Sequence, residues 1–261
     1  MAKQVGIMPL EGTIGNITFY KSKAGYLAKQ KTSISGDRIA TDPAFERTRE
    51  NGAEFGRAGK AGKLLRTAFR ALLLNAGDSY VASRLTSEMV KVLRADATNK
   101  RGQRNVIDGE AELLQGFEFN INGTLGSTFY APFAAAIDRV AGKTTVSIPS
   151  FIPINMVAAP VGATHFRVMM SGAEVDFEAK TFVSGSAMSE QLALDSTPTQ
   201  VMTLSVDVTA NSTKPLFIAL GIEFFQEVND GLYNLKNGSY NALALVMVSG
   251  TPDAAPPPPG P

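Results

Sequence analysis

The sequence predicts an α+β protein: an N-terminal β-hairpin arm, a helical region, then an antiparallel β-sandwich of immunoglobulin-like scale. Three observations predict it. Residues 17–31 hold two β-rich runs about a glycine turn, residues 43–115 place apolar side chains at helical spacing, and the chain after Gly116 breaks into short β-type runs parted by turn residues. The divisions that follow are 1–34 for the arm, 35–115 for the helices, 116–250 for the sandwich and 251–261 for a proline-rich tail.

In the arm, a short strand precedes "NITFYKS" and "GYLAKQK", which flank Lys23, Ala24 and Gly25 and read as two paired strands. A two-stranded hairpin is marginal in water, so this one must lean on something. It either packs on its own domain or adds to the sheet edge of a neighbouring subunit. Asp42-Pro43 then marks a helix start: the carboxylate can cap a free N–H, and proline suits the first helical position. The pattern stays helical to about Leu74, where "NAGDS" ends it. A second helix spans about Ser79 to Asp96, with Val81, Leu85, Met89 and Val92 or Leu93 on one face. "TNKRGQRN" is a basic, turn-like linker, and a third, shorter helix is expected over roughly Val106 to Gln115.

The runs "FEFNING", "STFYAPFAAAI", "KTTVSIPSF", "THFRVMM", "EVDFEAKTFV", "TQVMTLSVDV", "PLFIALGIEFFQEV" and "SYNALALVMVSG" are separated by Asn-Gly, Ala-Gly, Ser-Gly and proline breaks. About seven or eight strands over this length suit two sheets closed on each other. The tail "TPDAAPPPPGP" cannot form a core and reads as an extended polyproline strip.

The first helix carries a contradiction. Gly52, Gly56, Gly59 and Gly62 sit inside its pattern, and each interior glycine costs roughly 1 kcal/mol relative to alanine. Leu64, Leu65, Ala68, Phe69 and Leu72 gather within about 140° of arc, with Lys63, Arg66 and Arg70 opposite. Earlier the assignment reverses: Glu46, Glu50 and Glu54 occupy the later apolar arc, whereas Phe45, Phe55, Gly52, Gly56 and Gly59 lie toward the later basic one. A continuous helix of this kind touches two bodies, and its glycines let another backbone come close. The competing readings are a break near Gly59 to Gly62, giving two helices with independent faces, and glycines that accommodate the arm within one subunit.

Composition excludes several chemistries. The chain has no cysteine and no tryptophan, and its one histidine is His165, so thiolate zinc sites, Cys/His nucleophile pairs and His-clustered metal centres cannot be built from one copy. No phosphate-binding loop or dinucleotide fingerprint occurs. Glu110 and Glu112 share one run; Glu174, Asp176 and Glu178 alternate and read as a solvated strand face rather than an acid/base or calcium site. His165 beside Phe166 reads as a satisfied sandwich residue. The start has no apolar run of signal-peptide length and no later segment reaches membrane-span length, which predicts a cytoplasmic product or one released by lysis as a particle. Net charge is +1, but residues 57–104 hold eleven basic and three acidic side chains, a local +8. That segment could neutralise phosphates, though no aromatic platform is interleaved for base stacking.

"LEGTIGNITFYKSKAGYLAKQK" followed by "DPAFERTRENGAEFGRAGKAGKLLRTAFRALLL" resembles a family of uncharacterised bacterial proteins in which a glycine-punctuated hairpin precedes an "RTRENGAEFG" helix. The resemblance covers the first hundred or so residues most clearly, carries no catalytic residues across, and implies a phage-like or structural part.

The expected function is a self-assembling, non-enzymatic structural subunit of a tube, rod, filament or shell, whose partners are copies of itself and which calls for no cofactor, metal, small-molecule substrate or membrane. The expected assembly interface is Ile17, Phe19, Tyr20, Tyr26, Leu27, Phe45, Gly52, Phe55, Gly56 and Gly59. Candidate contacts to phosphate or to a neighbour's acidic groups are Arg57, Lys60, Lys63, Arg66, Arg70, Lys100, Arg101 and Arg104. The alternative function is a sequence-nonspecific nucleic-acid-binding subunit using 57–104. A carbohydrate-binding or hydrolytic sandwich is disfavoured by the absence of tryptophan and of a placed carboxylate pair.

Overall fold

The computed structural model describes residues 2–5, 9–22, 25–31 and 34–250, and the chain divides into two units, 1–51 and 52–261. The proline-rich tail and Lys23 and Ala24 lie outside the described residues. The protein is α+β, with an N-terminal strand hairpin, helices and several antiparallel sheets that form a curled, sandwich-like region.

In the first unit, β1 (Ala2–Lys3), β2 (Gly12–Ile14), β3 (Ile17–Ser22) and β4 (Gly25–Gln30) form one antiparallel sheet in the order β1-β4-β3-β2. The expected hairpin is β3–β4, with Tyr20 opposite Leu27 and Ser22 opposite Gly25. It is widened by a strand on each side, so it is not the lone two-stranded ribbon that the sequence suggested. A further helix, α1 (Gly36–Thr41), starts at Ser35, whose hydroxyl accepts from the Arg38 N–H at 3.2 Å. The Asp42 carboxylate accepts from the Ala44 N–H at 2.9 Å and opens a 3-10 turn, Pro43–Phe45, that runs directly into α2 (Glu46–Ala68). Arg49 closes the corner by donating to the Ile39 and Asp42 carbonyls at 2.9 and 2.8 Å.

In the second unit α2 continues unbroken through Gly52, Gly56, Gly59 and Gly62. The break at Gly59 to Gly62, the competing reading, is absent; the interruption falls at Phe69, where φ −95° and ψ 14° part α2 from α3 (Arg70–Ala76). Next comes α4 (Val81–Arg94), burying Leu85, Met89, Val92 and Leu93 as its spacing requires. The third helix expected over 106–115 is reduced to a 3-10 turn, Ala111–Leu114. The Asn105 Oδ1 accepts from the N–H groups of Ile107 and Asp108 at 2.8 and 2.9 Å, a side-chain turn that competes with helix formation.

The remaining elements are α5 (Leu125–Thr128), β5 (Ala134–Asp138), β6 (Lys143–Ile148), α6 (Pro153–Met156), β7 (His165–Asp176), β8 (Thr181–Met188), β9 (Leu192–Ala193), β10 (Met202–Asp207), β11 (Leu216–Val228), β12 (Gly231–Asn234) and β13 (Ala242–Ser249). One sheet is β10-β6-β5; the other follows β12-β11-β7-β8, with β13 also on β11 and β9 also on β7. Two departures from the sequence reading matter. "FEFNING" is no independent strand but runs along β13, with a single bridge between Glu118 and Ala244. "THFRVMM" and "EVD" are one strand, β7, passing straight through Ser171-Gly172. Glu178 therefore falls beyond the strand end, and only Glu174 and Asp176 share a strand face.

Strand β11 explains the layering. Phe217 and Ala219 point into a core shared with α2, α3 and α4, while Ile218, Leu220, Ile222 and Phe224 point into a second core closed by Val146, Ile148 and Leu204 of the smaller sheet. A strand buried on both faces must be apolar throughout, and "LFIALGIEFF" is nearly so. The exception, Glu223, is buried and held by Asn75 and Arg167. Helices and sandwich thus share cores, and Gly116 marks a change of secondary structure rather than of packing.

Candidate assembly interface

Strand register sorts the arm residues onto two faces, because directly paired residues project to the same side. Ile14 pairs Ile17, Ile17 pairs Gln30, Gly12 and Ala28 flank Phe19, Ala2 pairs Ala28, and Tyr26 pairs Lys21, so Ala2, Ile14, Ile17, Phe19, Lys21, Tyr26, Ala28 and Gln30 share one side. The opposite side carries Thr13, Thr18, Tyr20, Leu27 and Lys29 with Lys3. The five arm residues expected to act together are therefore split: Ile17, Phe19 and Tyr26 on the face with Ile14, Tyr20 and Leu27 on the other. Lysines lie over both tyrosines, Lys21 near Tyr26 and Lys29 near Tyr20, at 5.5 and 5.6 Å from the ring centroids. Among the described residues of 2–51 not one is buried; Ile14 is 65% exposed and Ile17 46%. Ile14 was missed in the sequence, although Gly15-Asn16 between two isoleucines is a two-residue hairpin signal.

On α2 the buried stripe is single: Glu54, Ala58, Ala61, Gly62, Leu65 and Ala68. Within the chain the buried side does not switch midway. Glu54, on the arc that is apolar later in the helix, is only 7% exposed, and its carboxylate accepts from the Gly102 N–H at 2.7 Å. The second face exists and is open: Phe55 is 61% exposed, and a Cβ at Gly52 or Gly56 would meet nothing within 4 Å. Gly59 and Gly62 differ from these two. A Cβ on Gly62 would lie 3.6 Å from Leu85 and 3.7 Å from Met89, and one on Gly59 would lie 4.0 Å from Thr86, so both look toward α4. Phe45 is half-buried beneath the Arg38 guanidinium, 5.8 Å from the ring centroid.

The basic segment also divides. Arg57 donates to the Arg104 and Gly102 carbonyls at 2.6 and 2.5 Å, pinning the 100–104 loop against α2. Arg66 and Arg104 are half-buried, each with an Nε that is buried and without a hydrogen-bond partner. Lys60, Lys63, Arg70 and Lys100 are exposed and, among the described residues, make no ion pair; Arg101 is exposed. The loop itself is organised by buried Asp96. Burial would raise its carboxyl, but the N–H groups of Asn99, Asn105 and Thr98 and the Asn99 amide together hold it below the ordinary aspartate range.

Among the described residues no cluster of three or more His, Asp or Glu could hold a metal, and no helix is long and apolar enough to cross a membrane. The His165 Nδ1 lies 3.0 Å from the Thr164 hydroxyl and 3.9 Å from Glu227. A cleft of about 440 Å³ borders Arg84, Glu88, Phe117 and Glu118, where burial pushes the Glu118 carboxyl up against the lowering effect of the Leu125 and Gly126 N–H groups. Arg84 beside it already donates to Asp78 and to the Glu118 carbonyl.

No family model matches the chain, and no curated protein matches it. Among solved structures, it is similar to a chain described under "pH-induced modulation of Streptococcus parasanguinis adhesion by Fap1 fimbriae", at 9% identity over 46% of this chain and 80% of that one, with a TM-score of 0.25. Likeness at that level carries no inference about fold or function.

Proposed function

We propose that this chain is a self-assembling structural subunit of a tube, rod, filament or shell, joined through its N-terminal arm and the open glycine face of α2. The observation that carries this reading is that no described residue of the first unit is buried. A sheet of three or more strands needs a covered hydrophobic face, and this one presents Ile14, Ile17, Phe19 and Tyr26 without burying any of them. Covering such side chains is worth about 1.5–3 kcal/mol each, enough to drive association when several are covered together. The reading requires no catalytic group and no cofactor.

Sedimentation and negative-stain imaging test it. The full chain is expected to form ordered particles, and a chain lacking residues 1–34 to remain monomeric. A truncated chain that still polymerises removes the arm from the bonding, and a full chain with the mass of one subunit at high concentration overturns the proposal.

Gly52→Ala/Gly56→Ala separates the helix contribution. With open space at both positions, each alanine should stabilise the isolated chain by up to about 1 kcal/mol, read as a raised Tm. Assembly should weaken in the same variant, because methyl groups hold an approaching backbone away. Undiminished assembly would show that no backbone closes on this face.

A second reading, nonspecific nucleic-acid binding, is favoured by the exposed Lys60, Lys63 and Arg70 along the α2–α3 surface. Phosphate contacts would weaken steeply with salt and carry nucleic acid through purification, whereas an apolar arm contact would do neither.

A further inference from the structure

Strand β8 is paired on one side only, with β7, from Met169–Met188 to Asp176–Thr181 and with no shift of register. One position beyond, the Ser189 N–H donates to the Val168 carbonyl at 2.9 Å. Bonded pairs alternate along an antiparallel ladder. Thr181, Val183, Gly185 and Ala187 therefore direct their backbone groups at β7, and Phe182, Ser184, Ser186 and Met188 direct theirs outward. Among the described residues nothing hydrogen-bonds to those outward N–H and C=O groups. The same four residues are all exposed. Natural edges are guarded by charge, proline, bulges or a covering element. "TFVSGSAM" has no charged residue and no proline, and its ladder has no bulge.

We propose that β8 is a second self-association edge, pairing antiparallel with β8 of another copy about a two-fold axis at Gly185. The register follows from saturation: only Phe182 against Met188 of the other copy, and Ser184 against Ser186, gives every outward group a partner. The side chains suit that register. A sulfur lies against an aromatic ring, two hydroxyls face each other, and no charge opposes a like charge. Within this chain the alternative occupants fit less well. In the first unit β1 and β2 have two and three residues and cannot cover the edge, and β3 and β4 are already paired on both sides. The contact is isologous and independent of the arm; an isologous contact combined with a different one elsewhere extends an assembly beyond a dimer.

The absence of cysteine makes the test clean. Full-length Ser184→Cys and Ser186→Cys proteins, mixed and mildly oxidised, are expected to form a disulfide-linked heterodimer, since bonded antiparallel pairs have Cα atoms about 5.5 Å apart, within disulfide range. A mixture of Phe182→Cys and Ser184→Cys, out of register, should crosslink at least tenfold more slowly. Ser184→Lys/Ser186→Lys sets lysines opposite lysines at exposed positions; Tm should stay within a few degrees while association through this edge falls at least tenfold by light scattering. Equal crosslinking in the two mixtures, or unchanged association of the folded lysine variant, overturns the proposal. Loss of assembly on removing residues 1–34, with the register-specific crosslink retained, would separate the two interfaces.

Discussion

Replacing Arg167 with alanine is expected to cost about 3–5 kcal/mol of folding free energy. Glu223 is 2% exposed on β11, the strand buried on both faces, and its carboxylate has two kinds of partner. The Asn75 amide donates at 2.7 Å, and the Arg167 guanidinium donates through Nε at 3.0 Å and again through Nη2. Removing the arginine leaves a carboxylate in a nonpolar layer with one neutral donor. The loss also includes packing, because the guanidinium lies over the Phe225 ring at 5.3 Å. At a few degrees per kcal/mol for a chain of this size, Tm should fall by roughly 10 °C. Glu223→Gln added to Arg167→Ala should recover more than half of the loss, since a neutral amide keeps the Asn75 bond and needs no counter-ion. Denaturant titration of the two single variants and the double variant measures the coupling. A loss below about 1 kcal/mol for Arg167→Ala would mean that water reaches Glu223.

The second large effect concerns the distance between the two sheets. A Cβ on Gly172 would sit 2.1 Å from the Thr144 Oγ1 and 3.2 Å from both the Thr144 and Val206 Cβ atoms. Thr144 cannot swing aside freely: it is fully buried and its hydroxyl donates to the Val206 carbonyl at 3.0 Å. Gly172→Ala is therefore expected to destabilise by about 3 kcal/mol through overpacking and loss of that hydrogen bond. Thr144→Ala in the same chain removes the nearest atom and should return about 1 kcal/mol or more. If Gly172→Ala unfolds at the wild-type midpoint, the sheets have room that this packing denies them.

The two effects have one origin, which also explains what could be read from the sequence. Glu223 and Gly172 look like interruptions in apolar strands, and nothing adjacent in the chain says that one faces Asn75 and Arg167 and the other faces Thr144. Local patterns were legible where local energetics decide. The spacing of Leu85, Met89 and Val92 implies a one-sided helix because side chains three and four apart share a face, and α4 buries them. Asp42-Pro43 opens a helix because cap and φ restriction act within a few residues. The pairing of β3 with β4 follows from two β-rich runs only two residues apart.

Of the interface residues named from sequence, Phe55, Gly52 and Gly56 do lie on an open helical face, since rotation about one axis is a local property. Which side of α2 is buried was another matter. Glu54 is drawn inside by an N–H forty-eight residues away, and Arg57 is consumed by two carbonyls of the same loop. Charge counting could not foresee either, because the cost of burying a charge depends on a partner that only the folded chain supplies.

By itself the sequence determined the class of the fold, the hairpin β3–β4 and the one-sided helix α4, and it holds no cysteine and one histidine. Tertiary structure alone decided that the arm is a four-stranded sheet with no buried residue among those described, that the helices and sandwich share cores, and that β8 leaves one edge open. Secondary structure follows from hydrogen bonds and side-chain spacing over a few residues, whereas desolvation is settled between segments far apart in the chain.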